Sequence, residues 1–383
     1  MEWKTPPPAS CPVARSAHIK GLLFTGRHAE YANADTWYPS WASDGNLYSP
    51  WTDGKVNGLD CSSFGKSAST GNAKISGDSP LALTISEAAI YPSSPAPYGG
   101  RYPCGSLVYN GVWYYGTYCL DDSDGDPGKG LNWDILGPFV GFRHSTDLGK
   151  SWTQTPCTPA APLFAEPARQ DGPVRLGSPH FVDFGRNLEH SPDGKAYLVG
   201  HGAVAGDPAP RPGGANLSWI TGDQIYLARV EPSAANMNDR SKYEFFAGRD
   251  RNGRAVWSHE FARIQPVFEW NNNADCVTMT YNAPLKRYLM CVTDGTDTIG
   301  KFNTYLLESE SASGPWKLVE YLKGFGEQAY FVNIPSKFVA GDGRTLWLMY
   351  AANFSNGNKN WPSHEARPIG SRYGMCLQEV RLL

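Results

Sequence analysis

Side chains able to transfer protons or bind anions stand at the ends of short apolar runs along this chain of 383 residues. Those that precede a run are Asp35, Arg101, Tyr102, His180, Asp275 and Glu327. Those that follow a later run are Asp53, Asp121, Asp122, His201, Asp294 and Asn353. Carboxylates and imidazoles serve as general acids and bases when the fold brings them within reach of one substrate. The pattern therefore predicts acid–base chemistry at a site built from distant stretches of sequence.

The elements that must position these residues are five similar hairpins, each an apolar or aromatic run, a tight polar turn and a second aromatic-rich run. They span Trp37–Trp51, Gly105–Tyr118, His180–Gly200, Cys276–Val292 and Tyr330–Ala351. Four of the turns contain Asp-Gly or Asn-Gly, a strong hairpin signal because such turns need positive φ at their centre. Five similar hairpins in one chain indicate a radial or solenoid repeat.

A five-bladed β-propeller fits this repeat, since 383 residues leave each of five units more than the roughly 40–50 that a four-stranded blade needs. Further strands are predicted at Val140–Ser145, Gln224–Val230, Asn303–Glu308 and Gly374–Leu383. The early strand His18–Phe24 is expected beside the last one. We predict one all-β domain, 1–383, forming a five-bladed propeller closed by the N- and C-terminal strands. Six or seven blades stay open if the long gaps hide a degenerate repeat.

This architecture would gather the chemistry-bearing residues, because inner strands start at the central funnel and the loop after the second strand returns there. Loops held on a rigid scaffold are where binding and catalysis concentrate. His180 heads an alternating stretch in which it shares a face with Val182, so its ring points into the funnel or packs at its lip.

The composition argues against several classes of partner. A net charge of −3 and the lack of a basic cluster argue against nucleic acid, and no apolar run is long enough to span a membrane. The eight histidines lack the spacing of a zincin-like metal site, so we expect no catalytic metal and no cofactor. A structural cation in the central channel stays open. We expect a monomer.

The cysteines carry a second signature of the repeat. Cys104 and Cys119 straddle one hairpin turn, and Cys276 and Cys291 straddle another with the same spacing. Either pair could be a cross-strand disulfide or two buried small hydrophobic residues. The even number of eight cysteines, together with glycosylation sequons at Asn216 and Asn353, favours a secreted glycoprotein. The opening residues Met1–Lys4, followed by prolines, do not read as a signal peptide.

Ser145–Trp152 matches the Asp-box motif, Ser-x-Asp-x-Gly-x-Ser/Thr-Trp, of sialidases and related propellers. The match predicts a turn between outer strands with Trp152 packed below it, away from the axis. Ser311–Trp316 looks like a degenerate copy in the fourth blade.

The run Asp35-Thr36-Trp37, followed by Trp41–Tyr48, resembles the first blade of five-bladed propeller glycosidases, the arabinanase/xylosidase group and its distant relatives. Gly314-Pro315-Trp316 also resembles an outer-strand motif of that group. In these enzymes an Asp at the start of the first inner strand faces the central funnel, which Asp35 would do here. The resemblance implies a secreted glycoside hydrolase that cleaves a plant, algal or microbial oligo- or polysaccharide.

Glycoside hydrolysis needs two carboxyl groups that flank the scissile bond. We expect Asp35 to be the base or nucleophile, Asp275 and Glu327 to compete for the acid role, and His180 to be a fourth catalytic candidate. Aromatic and polar side chains predicted near the funnel are expected to bind substrate: Trp37, Asp53, Arg101, Tyr102, Asp121, His201, Trp270 and Tyr330. Asp44, Asp193 and Asp342 are hairpin-turn residues without an expected role in catalysis.

Two other functions stay open. A polysaccharide lyase would use His180, Tyr102 or Tyr330 to remove the proton α to a uronate carboxylate, with Arg101 neutralising that carboxylate. A glycan-binding propeller without catalysis would keep the aromatic residues and release no product.

Overall fold

The chain folds almost entirely into short antiparallel strands. The computed structural model describes residues 1–63, 67–93, 102–122, 131–166, 174–204, 219–295, 300–352 and 366–383, with the backbone alone for 121, 122 and 131–135. The described residues contain 23 strands and four short 3-10 helices, at Arg186–Leu188, Arg240–Lys242, Phe261–Arg263 and Ser336–Phe338. Within these ranges, no helix has the length and apolar character needed to cross a membrane.

The strands form five sheets, the blades, which follow one another along the chain. The first strand, β1 (Leu22–Glu30), belongs to the last blade. Blade 1 contains β2 (Asn33–Asp35), β3 (Ser40–Trp41), β4 (Leu47–Val56), β5 (Leu59–Cys61), β6 (Ser69–Ser76) and β7 (Thr84–Pro92). Blade 2 contains β8 (Tyr102–Tyr109), β9 (Val112–Asp122) and β10 (Leu131–Ser145).

The remaining blades follow the same antiparallel order. Blade 3 contains β11 (His180–Phe181), β12 (Ala196–Gly202), β13 (Gln224–Val230), β14 (Glu244–Arg249), β15 (Ala255–Ser258) and β16 (Pro266–Glu269). Blade 4 contains β17 (Asp275–Asn282), β18 (Arg287–Asp294), β19 (Asn303–Ser309) and β20 (Lys317–Leu322). Blade 5 contains β21 (Tyr330–Asn333), β22 (Thr345–Ala351) and β23 (Cys376–Leu382), with β1 outside them.

The five predicted hairpins are the inner hairpins of the five blades, so the prediction of a five-bladed β-propeller is confirmed. The turns adopt the backbone conformations that their sequences predict. In blade 2, Asn110 and Gly111 both have positive φ, at 49° and 79°, as the Asn-Gly pair of a tight hairpin requires. The turn glycines Gly45, Gly194 and Gly343 also have positive φ.

The ring closes where the two chain ends pair. β1 lies antiparallel to β23, with Leu22 opposite Leu382 and Phe24 opposite Val380. The predicted closure is therefore confirmed, although the early strand spans Leu22–Glu30 instead of His18–Phe24. The strand runs further because its pairing resumes after a register shift and continues to Glu30, opposite Cys376.

Aromatic side chains fill the space between blades and require small residues opposite them. Between blades 1 and 2, the buried rings of Tyr48, Trp113 and Tyr115 form one cluster. Within blade 1, a Cβ atom on Gly71 would lie 2.2 Å from the Trp51 ring, so only glycine leaves that ring its place.

The disulfide alternative for the two cysteine pairs is wrong, because no disulfide bond links any of the eight cysteines. The register of blade 4 shifts between Asp275 and Thr278, so Cys291 pairs with Thr278 instead of Cys276. Cys276 donates to the carbonyl oxygen of Trp219 at 2.6 Å, while Cys291 packs in a different apolar cluster. A similar register shift interrupts β8 between Pro103 and Ser106, beside Cys104. These β-bulges turn the cysteines away from cross-strand alignment, which leaves the buried-hydrophobe alternative.

Ser145–Trp152 forms a compact turn after β10, the outer strand of blade 2. Asp147 accepts hydrogen bonds from the hydroxyls of Ser145 and Ser151, at 2.7 and 2.6 Å. These bonds hold the pKa of the Asp147 carboxyl well below its usual value. The Trp152 ring packs against Trp113, 5.3 Å between centroids, so the turn is tied to the aromatic layer between blades 1 and 2.

Candidate active site

A cavity of about 200 Å3 opens where the inner strands of blades 1, 2 and 5 face one another. The described residues that line it are Asp35, Thr36, Tyr38, Asp53, Tyr102, Tyr118, Leu120, Trp219, Tyr330, Phe331 and Tyr373. Two carboxyl groups and five phenol rings thus surround a space of the size that a small ring-shaped ligand needs.

The strand order explains why these residues meet. Tyr102 and Tyr330 begin the inner strands β8 and β21, and Asp35 ends the inner strand β2. Asp53 in β4 and Tyr118 in β9 return on the second strands, next to the inner ones. Four predicted site residues therefore line one cavity: Asp35, Asp53, Tyr102 and Tyr330.

Asp35 is 8% exposed and is held on one side only. Its Oδ2 accepts a hydrogen bond from the Tyr330 hydroxyl at 2.5 Å, and its Oδ1 has no hydrogen-bond partner among the described groups. Burial, and next the charge of Asp53, raise the pKa of the Asp35 carboxyl well above its usual value. Tyr330 lowers that pKa by a smaller amount, as does the nearby Tyr373 hydroxyl, although Tyr373 makes its hydrogen bond to the carbonyl oxygen of Asp53.

Both carboxylate oxygens of Asp53 accept hydrogen bonds from one residue, Ser63. The Ser63 backbone N–H donates to Oδ1 and the Ser63 hydroxyl donates to Oδ2, both at 2.6 Å. Burial raises the pKa of Asp53, and the two bonds from Ser63 oppose that shift. The two carboxyl groups of the cavity thus differ. Ser63 donates to both oxygens of Asp53, whereas, within the described part of the chain, only Oδ2 of Asp35 accepts a hydrogen bond, from Tyr330, with the Tyr373 hydroxyl nearby.

Strained backbone conformations gather at the cavity wall. Thr36, Asp53 and Phe331 all have positive φ, at 63°, 44° and 44°. This conformation is uncommon for residues other than glycine, above all for a β-branched threonine. Such strain persists only where the surrounding structure imposes it, and it concentrates at active sites and ligand clamps.

The tyrosines of the cavity are neutral phenols. Burial is the first cause of a raised pKa at each of the five: Tyr38, Tyr102, Tyr118, Tyr330 and Tyr373. The Asp35 carboxylate raises the pKa of Tyr330 further, because a second negative charge nearby is unfavourable. These hydroxyls are suited to donate hydrogen bonds and poorly suited to remove protons.

Tyr38 and Phe331, which line the cavity, also pack against the ring of His180, which does not line it. The His180 ring centroid is 4.3 Å from that of Tyr38 and 4.6 Å from that of Phe331. Burial, and next His201, lower the pKa of His180 from its usual 6.5 to about 3, so its imidazole is neutral. His180 lines a separate cavity of about 30 Å3 together with Thr278 and Asn333.

The two predicted acid candidates lie elsewhere, since neither Asp275 nor Glu327 is among the described residues that line the cavity. Asp275 is fully buried at the start of β17, opposite Thr293. Glu327 is buried and forms an ion pair with Lys301, with 2.7 Å between Nζ and Oε2.

Of the remaining predicted site residues, some are buried in the protein interior and others lie outside the residues that the structure describes. Trp37 donates its indole N–H to the carbonyl oxygen of Ala34 inside an apolar cluster. Trp270 packs on Tyr305, and His201 is buried in β12. Arg101, the Asp121 side chain, and both sequons, at Asn216 and Asn353, lie outside the described residues. Among the residues that the structure does describe, no group of three or more His, Cys, Asp or Glu could hold a metal ion.

The sequence did not predict several residues that line the cavity, Tyr38, Tyr118, Trp219, Phe331 and Tyr373, or Ser63, which holds Asp53. A weak signal existed for Tyr373, which stands directly before the predicted strand Gly374–Leu383. The predicted site residues come from the first two strands of each blade, whereas Tyr373 precedes the third strand of blade 5. Ser63 carried no signal, because its role depends on how the segment after β5 folds back onto Asp53.

Comparisons with known proteins extend over nearly the whole chain at the level of structure. A Bacteroides ovatus protein provisionally described as a hydrolase has a TM-score of 0.51 at 13% identity, covering 99% of this chain and 96% of that one. A family 117 glycoside hydrolase of Zobellia galactanivorans has 0.48 at 13% identity, covering 96% and 89%. An α-L-arabinofuranosidase of Podospora anserina, in complex with cellotriose, has 0.46 at 12% identity, covering 99% and 96%.

No family model matches the sequence, and no curated protein is significantly similar to it. Glycoside hydrolases are thus among the solved structures similar to this chain. The five blades of the structure itself confirm the fold that the resemblance inferred from the sequence implies. At identities this low, structural similarity indicates a shared architecture, and the activity depends on the residues of the site.

Proposed function

We propose that this chain is a carbohydrate-active enzyme, a glycoside hydrolase that cleaves an oligo- or polysaccharide of plant, algal or microbial origin in the cavity around Asp35. The observation that carries the proposal is the pair of carboxyl groups, Asp35 and Asp53, in one cavity and in unlike surroundings. Glycoside hydrolysis needs such a pair, and unlike surroundings let one group hold a proton while the other is charged.

The surroundings support a proton-donor role for Asp35, in place of the base or nucleophile role expected from the sequence. Burial and the charge of Asp53 favour the protonated form of Asp35. Its proton would pass to the glycosidic oxygen as the bond from that oxygen to the anomeric carbon breaks. The Asp53 carboxylate would stabilise the positive charge at the anomeric carbon. Water would then add its hydroxyl group to that carbon and give its remaining proton to Asp35, which restores the acid. The acid roles of Asp275 and Glu327 stay predictions.

The walls of the cavity support a sugar as the ligand. Tyrosines and the apolar rings of Trp219 and Phe331 both line the cavity. Sugars present hydroxyl groups at their edges and C–H groups on their faces, so such a wall can match both. Ligand sites in general combine mostly apolar linings with a few placed polar groups.

The lyase alternative receives less support. A catalytic base should have a pKa near the working pH, and the pKa values of Tyr102 and Tyr330 are raised by burial. His180 is neutral, but it is buried and is not among the described residues that line the cavity. Arg101, which would neutralise the uronate, lies outside the described residues.

Secretion, a monomeric state and a single domain over 1–383 belong to the same proposal. Secretion rests on the sequons and on the glycan substrate, since the lack of disulfide bonds removes the cysteine argument. The single domain is supported by the way in which β1 and β23, from opposite ends of the chain, pair in one blade.

The experiment is digestion of a broad polysaccharide panel, with products identified by mass and by ultraviolet absorbance. Hydrolysis adds one water for each bond cleaved. Elimination adds none and gives an unsaturated sugar that absorbs in the ultraviolet. Binding without any product would establish the non-catalytic alternative.

A further inference from the structure

We propose that Ser63 and Tyr373 are positioning residues, which hold the carboxylate of Asp53 in a fixed orientation beside Asp35. The role of this positioning in catalysis rests on the function proposed above. The positioning itself can be tested without a substrate. Neither residue needs to touch the substrate to act in this way.

The first observation is the pair of hydrogen bonds from Ser63 to the carboxylate of Asp53. Ser63 is 1% exposed and reaches both oxygens of Asp53, with its backbone N–H and with its hydroxyl. It follows β5, which pairs with β4 so that Cys61 lies opposite Gly54. Two short bonds from one buried residue fix the rotation of the carboxylate plane, which a single bond would leave adjustable.

The backbone of Asp53 is fixed as tightly as its side chain. Tyr373, which comes from blade 5, donates its hydroxyl to the carbonyl oxygen of Asp53. The next residue, Gly54, packs so closely on β2 that a Cβ atom there would lie 2.1 Å from the carbonyl oxygen of Asn33. Asp53 thus keeps a left-handed conformation while pressed against the strand that carries Asp35.

Hydrogen bonds to a carboxylate favour its charged form, and that charge acts on its neighbours. The described titratable groups that sense the charge of Asp53 are Asp35, Cys61, Tyr102 and Tyr373. Tyr330 and Tyr38 act on the pair through Asp35. Since the charge of Asp53 raises the pKa of Asp35, loss of the Ser63 hydroxyl should change the protonation of both carboxyl groups.

The substrate-free test compares thermal unfolding of wild type and Ser63→Ala between pH 4 and pH 7. Removing the hydroxyl weakens the charged form of Asp53, so the loss in Tm should be larger at pH 7 than at pH 4. Ser63→Thr keeps a hydroxyl and should recover most of the loss. In an Asp53→Asn background the pH-dependent part of the loss should vanish. A loss that is equal at both pH values would overturn the proposal.

The activity test uses whichever glycan the panel identifies. Ser63→Ala should move the acidic limb of the pH profile of kcat/KM to higher pH by about one unit, because Asp53 would then need a higher pH to ionise. Tyr373→Phe should lower kcat with little change in KM. Ser62→Ala, at the exposed neighbouring serine, is the control. A fall in activity with an unmoved limb would show a merely structural role, whereas failure to find any substrate would count against the proposed function alone.

Discussion

At the scale of single residues, the proposed site rests on one carboxyl group whose surroundings oppose its ionisation. Asp35 is buried, faces the charge of Asp53 and receives one hydrogen bond, from Tyr330. Its folded-state pKa lies above the unfolded value, so folding favours the protonated form. The associated stability is complete below the usual pKa of 3.8 and is lost as the pH rises towards the folded-state pKa.

Asp35→Asn should therefore separate activity from stability. Loss of proton transfer should lower turnover about 100- to 10,000-fold. The Tm of the variant, relative to wild type, should rise between pH 4 and pH 7 because asparagine cannot ionise. Asp342→Asn is the matched control, since Asp342 is exposed and only caps the blade 5 turn by accepting from the backbone of Arg344 and Thr345.

The opposite result would redirect the mechanism. If Asp35→Asn keeps near-full activity while Tyr330→Phe or His180→Ala abolishes it, the two-carboxylate mechanism is wrong. The lyase mechanism would then take its place.

His180 gives a second prediction at this scale, with the opposite dependence on pH. Its folded-state pKa is about 3, below the usual 6.5, so the stability it allows is present above pH 6.5 and lost as the pH falls towards 3. The loss is about 1.4 kcal/mol for each pH unit within that window. His180→Phe fits the same aromatic surroundings and should flatten the fall of Tm with acid, measured from pH 7 to pH 4. His18→Phe, at an exposed histidine, should leave the fall unchanged.

At the scale of the elements, each blade is a hairpin unit whose aromatic residues need small partners. Gly71 in β6 is the clearest case, because the Trp51 ring occupies the space of its missing Cβ atom and Tyr115 donates to its carbonyl oxygen at 2.9 Å. Glycine is needed at position 71 because no Cβ atom fits beside the Trp51 ring, and not because the backbone adopts an unusual conformation.

Gly71→Ala should destabilise the protein by about 1–3 kcal/mol, the usual cost of overpacking a filled interior. The matched control is Gly341→Ala, where an added Cβ atom meets nothing within 4 Å. Urea unfolding of both variants gives the comparison. Equal stability of the two would contradict the placement of Trp51 over Gly71.

At the scale of the whole molecule, the ring is closed by strands from opposite ends of the chain. Blade 5 supplies Tyr330, Phe331 and Tyr373 to the cavity, and its outer strand is β1. Met1 adds to this closure, because its amino group donates to the carbonyl oxygen of Phe24 at 2.5 Å. Closure therefore supports the wall that donates to the Asp35 carboxyl group and to the backbone carbonyl oxygen of Asp53.

A designed crosslink tests the register of this closure. Leu23 lies opposite Arg381, so Leu23→Cys combined with Arg381→Cys should form a disulfide on oxidation. The bond should raise stability by about 2–4 kcal/mol, because it closes a very long loop in the unfolded chain. Leu23→Cys combined with Arg344→Cys is the control, since Arg344 adjoins β22, one strand further in. Peptide mapping that finds the control bond and not the designed one would refute this register.

The hairpins were determined by the sequence itself, because turn residues and alternating apolar runs act over a few neighbouring positions. That local information gave the five blades, the closing strands and the place of Asp35. The tertiary structure alone decided which residues meet across blades, such as Tyr373 with Asp53, because contacts over 320 residues leave no local pattern. The tertiary structure also decided that the cysteines do not pair. A bulge at Cys276 changes the strand register, and no residue type in the sequence predicts that bulge. Local chemistry thus specified the strands, and packing between blades specified the cavity.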